Sequence, residues 1–273
     1  MTQPAGPIPP LLLVGCGQMG SAMLAGWLAD GLAPSVILDR HRADGPAPHR
    51  IVRQAADLPD DFTPALIVLA TKPQKAAAVI PDIARFARRA PVLSVMAGKT
   101  VGGLAASLAD AGAPGAVVIR AMPNTPAAIG QGMTVCYAPP AATEAERALC
   151  GRVLSAVGDT AWVEHEEQMD AVTAVSGSGP AYVFLLAELM EQAAVAQGLP
   201  PDLARRIARR TVSGAGALME QSGVDAAELR RRVTSPGGTT QQALAVLMEP
   251  EAWPAAMDAA IRAATLRAHE LAS

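Results

Sequence analysis

Cysteine is scarce in this sequence, and the pattern of a secretory signal is missing. Only three cysteines occur among 273 residues, Cys16, Cys136 and Cys150, and their odd number and spacing fit neither a disulfide framework nor a metal site. Met1–Pro10 has no basic residue and no adequate apolar segment, so we predict a short proline-rich tail there. We therefore expect no metal and a reduced, cytoplasmic protein.

Charge of one sign and long apolar runs are also missing. The net charge is −3, with 51% hydrophobic and 17% charged residues, which is typical of a folded globular protein. So small a charge gives no reason to expect a nucleic-acid partner. No uninterrupted apolar run reaches the roughly 18 residues of a membrane-spanning helix, so we expect no membrane partner. The 273 residues suffice for two domains of ordinary size.

A glycine pattern near the N-terminus predicts a dinucleotide site. The apolar run Leu11–Val14 is followed by Gly15-Cys16-Gly17-Gln18-Met19-Gly20 and then by the helical stretch Ser21–Ala29. In such a strand, glycine loop and helix, the first glycine allows the tight turn. The second lets a pyrophosphate approach the backbone, and the third lets the helix pack on the strand.

Strand and helix patterns then alternate as far as residue 163. This alternation predicts a doubly wound parallel sheet, that is, an N-terminal Rossmann domain over residues 1–163. Apolar runs at Val36–Leu38, Ala65–Ala70, Pro91–Met96, Val117–Arg120 and Met133–Tyr137 are separated by helical patterns at Gln74–Arg88, Val101–Ala111 and Thr143–Ala156.

The ends of two strands carry further cofactor candidates. Asp39 lies about 20 residues after the third glycine, where an acidic residue meets the free ribose hydroxyl of NAD. Arg40 and Arg42 instead suit the 2′-phosphate of NADP. The two signals conflict; we favour NADPH and leave NADH open. Lys72 ends another strand at the edge where ligands bind, and we expect it to touch the cofactor.

The second half reads as helices from Glu164 onward. Ala181–Ala196, which follows Pro180 and ends before Gly198, is apolar on nearly every face. A helix of this kind is buried, and a domain of residues 164–273 has little interior of its own in which to bury it. We therefore expect a second subunit to cover part of it.

One stretch of the second half predicts an anion site. Thr234-Ser235-Pro236-Gly237-Gly238-Thr239-Thr240 precedes a predicted helix at Gln241–Met248. A threonine there is a good N-cap, and the free N–H groups of a helix start attract a carboxylate or phosphate. An ordinary capped turn is the alternative, which the stretch alone leaves open.

Set together, these motifs resemble the pyrroline-5-carboxylate reductase family. The similarity covers nearly the whole chain after residue 10. It lies in Gly15–Gly20, Lys72-Pro73, Ala121-Met122-Pro123-Asn124-Thr125-Pro126, Ser176-Gly177-Ser178-Gly179-Pro180-Ala181-Tyr182-Val183-Phe184 and, most specifically, Thr234–Thr240.

The resemblance implies a Rossmann domain followed by an all-α dimerisation domain, assembled as a dimer or a larger homo-oligomer. It implies hydride transfer from NADPH or NADH to 1-pyrroline-5-carboxylate, giving L-proline. Ser235, Gly238, Thr239 and Thr240 would bind the substrate, with Thr240 also facing the ring nitrogen as the catalytic candidate. The implied cofactor contacts are Val14, Gly15, Cys16, Gly17, Gln18, Met19, Gly20, Asp39, Arg40, Ala70, Thr71, Lys72, Pro73, Ala97 and Asn124.

Two positions depart from the family pattern. Lys99 stands where a small aliphatic residue is usual, and Thr71 stands where a valine usually precedes Lys72. The loop Arg40–Arg53 is also shorter and more basic than we expect. These departures concern cofactor contacts and not the reaction.

Two other functions compete with this interpretation. A 3-hydroxyacid dehydrogenase shares the fingerprint and the two-domain layout, but that family uses a lysine at the start of its helical domain. No lysine follows Lys99, so the second half cannot supply one. A dinucleotide-binding sensor without turnover is the second alternative, and the presence of Ser235, Thr239 and Thr240 argues against it.

Overall fold

The computed structural model describes residues 6–42 and 44–272. Contacts divide the chain into two compact units. The first runs to Gly177 and resumes from Ala264, and the second is Ser178–Ala263. The domain boundary after residue 163 stays a prediction beside this division. Residues 1–5 of the predicted tail lie outside the described residues, but Ile8 is fully buried, so the tail prediction is wrong from that residue on.

An eight-stranded sheet forms the centre of the first unit, in the order β3-β2-β1-β4-β5-β6-β7-β8. All neighbouring strands are parallel except β6 and β7. This order confirms the doubly wound Rossmann arrangement. The strands are β1 (Leu11–Val14), β2 (Val36–Leu38), β3 (Arg50–Val52), β4 (Leu66–Leu69), β5 (Val92–Ser94), β6 (Val118–Met122), β7 (Gly132–Tyr137) and β8 (Gly158–Val163).

Two strands differ from the sequence prediction. β3 was not predicted, because its three residues include an arginine and form no apolar run. β7 was expected to be parallel but runs antiparallel to β6. A parallel pair needs a crossover of a dozen or more residues, and the connection from Met122 to Gly132, which holds only a 3₁₀ turn, is too short for one.

Helices cover both faces of the sheet. Successive strand side chains point to opposite faces, so Leu12 packs with one layer and Leu11 with the other. Burying one such leucine contributes about 1.5–3 kcal/mol. Trp27 is fully buried, and its indole N–H donates to the Val153 carbonyl at 2.8 Å. The helices of this unit are α1 (Gln18–Ala29), α2 (Ala76–Ala87), α3 (Val101–Asp110), α4 (Glu144–Ser155) and α5 (Gln168–Val172), followed by a π-helical turn at Thr173–Gly177.

A buried arginine ties several of these elements together. Arg120 on β6 has a side chain only 3% exposed and donates to Glu166 at 3.2 Å. Glu166 also accepts the Val101 N–H at 2.8 Å, at the start of α3. Asp170 lies 3.9 Å from Arg120 and 3.3 Å from His269. Through the Glu166–Val101 hydrogen bond, this group holds the start of α3 and with it the loop between β5 and α3. Removing one member of the group would leave the remaining buried charges uncompensated.

The second unit is helical, as predicted. None of the described residues of α6 is buried within the single chain, and Phe184 is 65% exposed. The apolar helix packs against α7 but is therefore only partly covered within the helical unit. The helices are α6 (Gly179–Ala196), α7 (Pro201–Ser222), α8 (Ala226–Arg232), α9 (Thr239–Leu247) and α10 (Trp253–Ala272), of which α10 continues into the first unit.

Candidate active site

The glycine loop after β1 is shaped by two glycines that the fold itself requires. Gly15 has φ +91°, and a Cβ there would lie 2.7 Å from Thr71 Cγ2. At Gly20 a Cβ would lie 2.3 Å from the Gly15 carbonyl oxygen. The first glycine therefore permits the turn, and the third permits α1 to pack against it, as the fingerprint predicts.

Gly17 is different, because the fold does not need a glycine there. It is the N-cap of α1, with φ −71°, a conformation open to any residue. Apart from its two chain neighbours, no atom of the described residues lies within 4 Å of a Cβ built on it. The space beside it opens at a helix N-terminus, where free N–H groups and the helix dipole favour an anion. The loop therefore fits the pyrophosphate of a dinucleotide.

A cavity of about 660 Å³ lies at the carboxyl ends of the neighbouring strands. It brings together five of the predicted cofactor residues: Val14, Gly15, Asp39, Arg40 and Thr71. The buried Thr71 hydroxyl oxygen has no hydrogen-bond partner in the described part of the chain. A concave site with free polar groups at this edge of an open α/β sheet suits the adenosine half of the cofactor.

The remaining predicted cofactor residues do not line this cavity. Cys16, Gln18 and Met19 belong to the glycine loop and the first turn of α1. Ala70, Lys72 and Pro73 follow β4, Ala97 follows β5 and Asn124 follows β6, so they lie at the same edge of the sheet. Lys72 precedes a 3₁₀ turn, and Lys75, three residues later, is the lysine on the cavity wall.

The Asp39 carboxylate is held by backbone donors. Oδ2 accepts from the Cys16 N–H at 2.6 Å, and Oδ1 accepts from the His41 and Arg42 N–H groups at 2.8 and 3.1 Å. Partial burial acts to raise the pKa of Asp39, but these three hydrogen bonds outweigh it and hold the pKa below its ordinary value. Asp39 thus joins the glycine loop to the loop after β2, and only Oδ2 keeps spare capacity to accept a ribose hydroxyl.

Asn124 serves as a structural bridge in the first unit. Its Oδ1 accepts the Met133 N–H at 2.9 Å, and its Nδ2 donates to Ser176 Oγ at 3.3 Å. It thereby fixes the π-helical turn Thr173–Gly177 beside the start of β7. Turns of this type are frequent at functional sites. A cofactor contact of Asn124 remains a prediction.

In the second unit, the predicted substrate residues form one compact turn. The Ser235 carbonyl accepts the Gly238 N–H at 3.0 Å. Pro236 takes the second position of the turn, and Gly237 takes the third with φ +71°, which makes a type II turn. The Gln241 side chain accepts the Gly237 N–H at 2.6 Å. Proline and glycine are required here because of the φ values that the turn needs.

Helix α9 begins at Thr239, two residues before the predicted start at Gln241. Gly238 is the N-cap and makes no side-chain cap, so the predicted threonine N-cap is wrong. Thr239 and Thr240 are the first two helical residues, and their N–H groups belong to the free set at a helix start. The structure brings Ser235, Gly238, Thr239 and Thr240 together as predicted. Two hydroxyls and a row of free N–H groups at the positive end of a helix suit a small carboxylate.

Two family models match the chain. The one described as pyrroline-5-carboxylate reductase dimerisation matches residues 166–271. The one described as NADP oxidoreductase coenzyme F420-dependent matches residues 11–98. The glycine loop and the cavity lie in the second of these segments, and the turn before α9 lies in the first.

Full-length relatives give the same result. A Pseudomonas aeruginosa protein named pyrroline-5-carboxylate reductase is 37% identical over 97% of this chain and 97% of its own length. A Synechocystis protein of the same name is 37% identical over 95% of this chain and 97% of its own length. The solved structure of a pyrroline-5-carboxylate reductase from Coxiella burnetii is 29% identical with a TM-score of 0.87, covering 96% of this chain and 98% of the other.

Proposed function

The chain belongs to the pyrroline-5-carboxylate reductase family, and we infer from this that it reduces 1-pyrroline-5-carboxylate to L-proline, the final step of proline biosynthesis. It is an oxidoreductase that uses NAD(P)H. The observation that carries the inference is similarity to reductases of that name over nearly the full length of both chains. The glycine loop and the turn before α9 supply the two binding elements that such a reaction needs.

The first unit supplies the residues that would hold the cofactor. Gly17 and the free N–H groups of α1 would bind the pyrophosphate, while Gly15, Asp39 and Thr71 would border the adenosine half. When bound, NAD(P)H supplies the hydride. Arg40 and Lys75 line the cavity, and their positive charge favours the 2′-phosphate of NADPH over NADH. The family-implied contacts of Lys72, Pro73, Ala97 and Asn124 are part of the proposal.

The turn before α9 would anchor the substrate. Ser235, Gly238, Thr239 and Thr240 would bind the carboxylate through hydroxyl and backbone N–H groups. Thr240 would also place its hydroxyl at the ring nitrogen. A protonated imine is already a good hydride acceptor: the hydride bonds to the imine carbon, and the C=N electron pair moves to the protonated nitrogen, which becomes an amine. The main task of the protein is therefore orientation.

The active protein is a homo-oligomer, because the segment 166–271 belongs to a dimerisation family. By length and composition alone, Gln168–Ala196 is long and apolar enough to cross a membrane. Only 6% of its most apolar stretch is buried within one chain. A second copy that covers α6 accounts for the same composition. We propose a cytoplasmic protein with a Rossmann domain over residues 1–163 and a helical domain over 164–273.

Steady-state turnover tests this function. We expect oxidation of NADPH, and more slowly of NADH, that depends on added pyrroline-5-carboxylate and yields proline. The same protein should give no reduction of NADP⁺ with 3-hydroxyacids, since its helical half has no lysine. Turnover of 3-hydroxyacids would favour the dehydrogenase alternative, and nucleotide binding without any turnover would favour the sensor.

A further inference from the structure

The cavity beside the glycine loop is lined by apolar, basic and acidic side chains, and the acidic ones are Asp39 and Asp82. Small side chains from two segments line it: Ala55 and Ala56 in the 3₁₀ turn after β3, and Ala78 and Val79 of α2. Such a slot suits the flat face of an adenine ring, because small side chains leave room between them.

Cationic side chains line the cavity from three separate segments: Arg40 follows β2, Arg53 follows β3 and Lys75 precedes α2. Arg40 and Arg53 make no hydrogen bond or ion pair with any part of the chain that the structure describes. Two unpaired guanidinium groups at one cavity leave their donors free for a ligand with several anionic oxygens.

Arg42, by contrast, is already engaged. Its Nη1 lies 3.2 Å from Cys16 Sγ and 3.4 Å from Ser21 Oγ, and its Nε donates to the Asp44 carbonyl at 3.3 Å. It does not line the cavity. Arg42 thus braces the glycine loop, and of the two arginines that the sequence offered as readers of a 2′-phosphate, only Arg40 lies on the wall.

Strand pairing gives Arg53 its position. β3 lies parallel to β2, with Val52 opposite Leu38. The Asp39 N–H donates to the Val52 carbonyl at 3.0 Å, so Arg53 follows directly beside Asp39, the residue at the ribose position. A guanidinium placed there is suited to bind a phosphomonoester on the ribose in a bidentate manner.

We propose that Arg53, together with Arg40, binds the 2′-phosphate of NADP(H) and sets the nucleotide preference of this chain. The proposal rests on the proposed function, since it names the group that the same cofactor cavity selects. Arg53 lies outside the residues that the sequence offered for this role, because its position depends on a strand that the sequence did not predict.

Binding of half-cofactors to the whole protein tests the proposal. Calorimetric titration with 2′,5′-ADP and with 5′-AMP separates the added phosphate from the rest of the adenosine site. Arg53→Gln should weaken the binding of 2′,5′-ADP roughly tenfold to a hundredfold, which is the usual loss for a hydrogen bond to a charged group. The affinity for 5′-AMP should stay unchanged. Arg53→Lys keeps the charge but not the fork, so it should give an intermediate loss.

Arg50→Gln is the matched control, because Arg50 is exposed on the same strand but does not line the cavity. It should bind both probes like the unaltered protein. Arg42→Gln should change the affinities for both probes by the same factor, since Arg42 contacts the glycine loop and not the 2′-phosphate. The NADPH-to-NADH ratio of kcat/KM should fall in Arg53→Gln alone among these three.

The outcomes distinguish this proposal from the function on which it rests. If the unaltered protein binds neither probe and has no turnover, the proposed function fails. Suppose instead that the unaltered protein binds 2′,5′-ADP. If Arg53→Gln then binds 2′,5′-ADP with the same affinity, or loses affinity for both probes by the same factor, Arg53 does not bind the 2′-phosphate, and the proposed function is unaffected.

Discussion

The Asp39 carboxylate accepts the Cys16 N–H at 2.6 Å, so the acidic residue after β2 is tied to the glycine loop after β1. An aspartate at this position suggests NAD when only the sequence is considered. In the structure its first role is to order two loops, because three backbone N–H groups already donate to it. The acid is therefore compatible with a cofactor that carries a 2′-phosphate, which cations beside it would bind.

Asp39 predicts a defined pH dependence. Because hydrogen bonds lower its pKa in the folded state, its charge stabilises the fold above its ordinary pKa of about 4, and this stabilisation is lost as the pH falls through the lower, folded pKa. Asp39→Asn should cost about 1 kcal/mol of unfolding free energy, the size of a typical net hydrogen bond. Denaturant unfolding should show this difference unchanged from pH 8 to about pH 5 and shrinking below about pH 4. A difference that grows on acidification would contradict the assignment.

A substitution at Gly17 should affect cofactor binding without affecting folding. Gly17→Val should leave thermal unfolding unchanged, because the backbone conformation and the space admit a side chain, but it should greatly weaken NADPH binding measured by fluorescence. Gly102→Val, near the start of α3 and also in open space, is the control and should bind NADPH normally. Native affinity in a folded Gly17→Val protein would mean that the loop is structural only.

Gly20 provides the opposite case. A Cβ at Gly20 would lie 2.3 Å from the Gly15 carbonyl oxygen, so Gly20→Ala should destabilise the protein by about 1–3 kcal/mol, the usual cost of overpacking. Its thermal midpoint should fall clearly below that of Gly17→Val. Equal midpoints for the two variants would show that the loop relaxes freely around the added carbon.

Thr240 tests the proposed substrate turn. Thr240→Ala removes one hydrogen bond to a charged group, which costs roughly 1.5–3 kcal/mol, about a tenfold to hundredfold loss in kcat/KM for pyrroline-5-carboxylate. The turn itself remains, since it is closed by Ser235, Gly238 and Gln241, so NADPH affinity should stay near native. Thr240→Ser keeps the hydroxyl and should retain most of the activity. Native kcat/KM in Thr240→Ala would remove this residue from the site.

The three cysteines should differ in reactivity. Cys136 is fully buried, and burial raises the pKa of its thiol to about 12, while burial likewise raises the pKa of Cys150. Cys16 is only half-buried and lies in the glycine loop. Brief alkylation at pH 8, followed by mass spectrometry, should modify Cys16 first, and saturating NADPH should protect it. Labelling of Cys136 ahead of Cys16 in the folded protein would contradict this description of the loop.

The regular parts of the Rossmann unit could be predicted from the sequence because their signals are local. Leu11–Val14 and Leu66–Leu69 are fully buried strands, and continuous apolar runs announce such strands. Arg50–Val52 carries no such run, and its pairing with β2 is a tertiary property. The direction of β7 depended on a short connection, and the burial of Ile8 depended on core space that no local pattern reveals.

The candidate site could likewise be predicted from the sequence only in part. The glycines of the loop and the residues of the turn before α9 could be named from spacing and resemblance, and the structure groups each set. The contacts of Arg42 and the position of Arg53 could not be predicted, because the first depend on Cys16 and Ser21 and the second on the register of β3. Lys75 in place of Lys72 on the cavity wall follows from the 3₁₀ turn between them.

Transfer of an isotopic label shows directly whether the protein reduces a cyclic imine with NAD(P)H. NADPH carrying deuterium at either of the two C4 positions is incubated with pyrroline-5-carboxylate and the protein, and the product is analysed by mass spectrometry and NMR. We predict proline with one deuterium, on the carbon that was part of the imine, from one of the two labelled forms and not from the other. Proline without deuterium from both forms, or no proline at all, would rule out this hydride transfer.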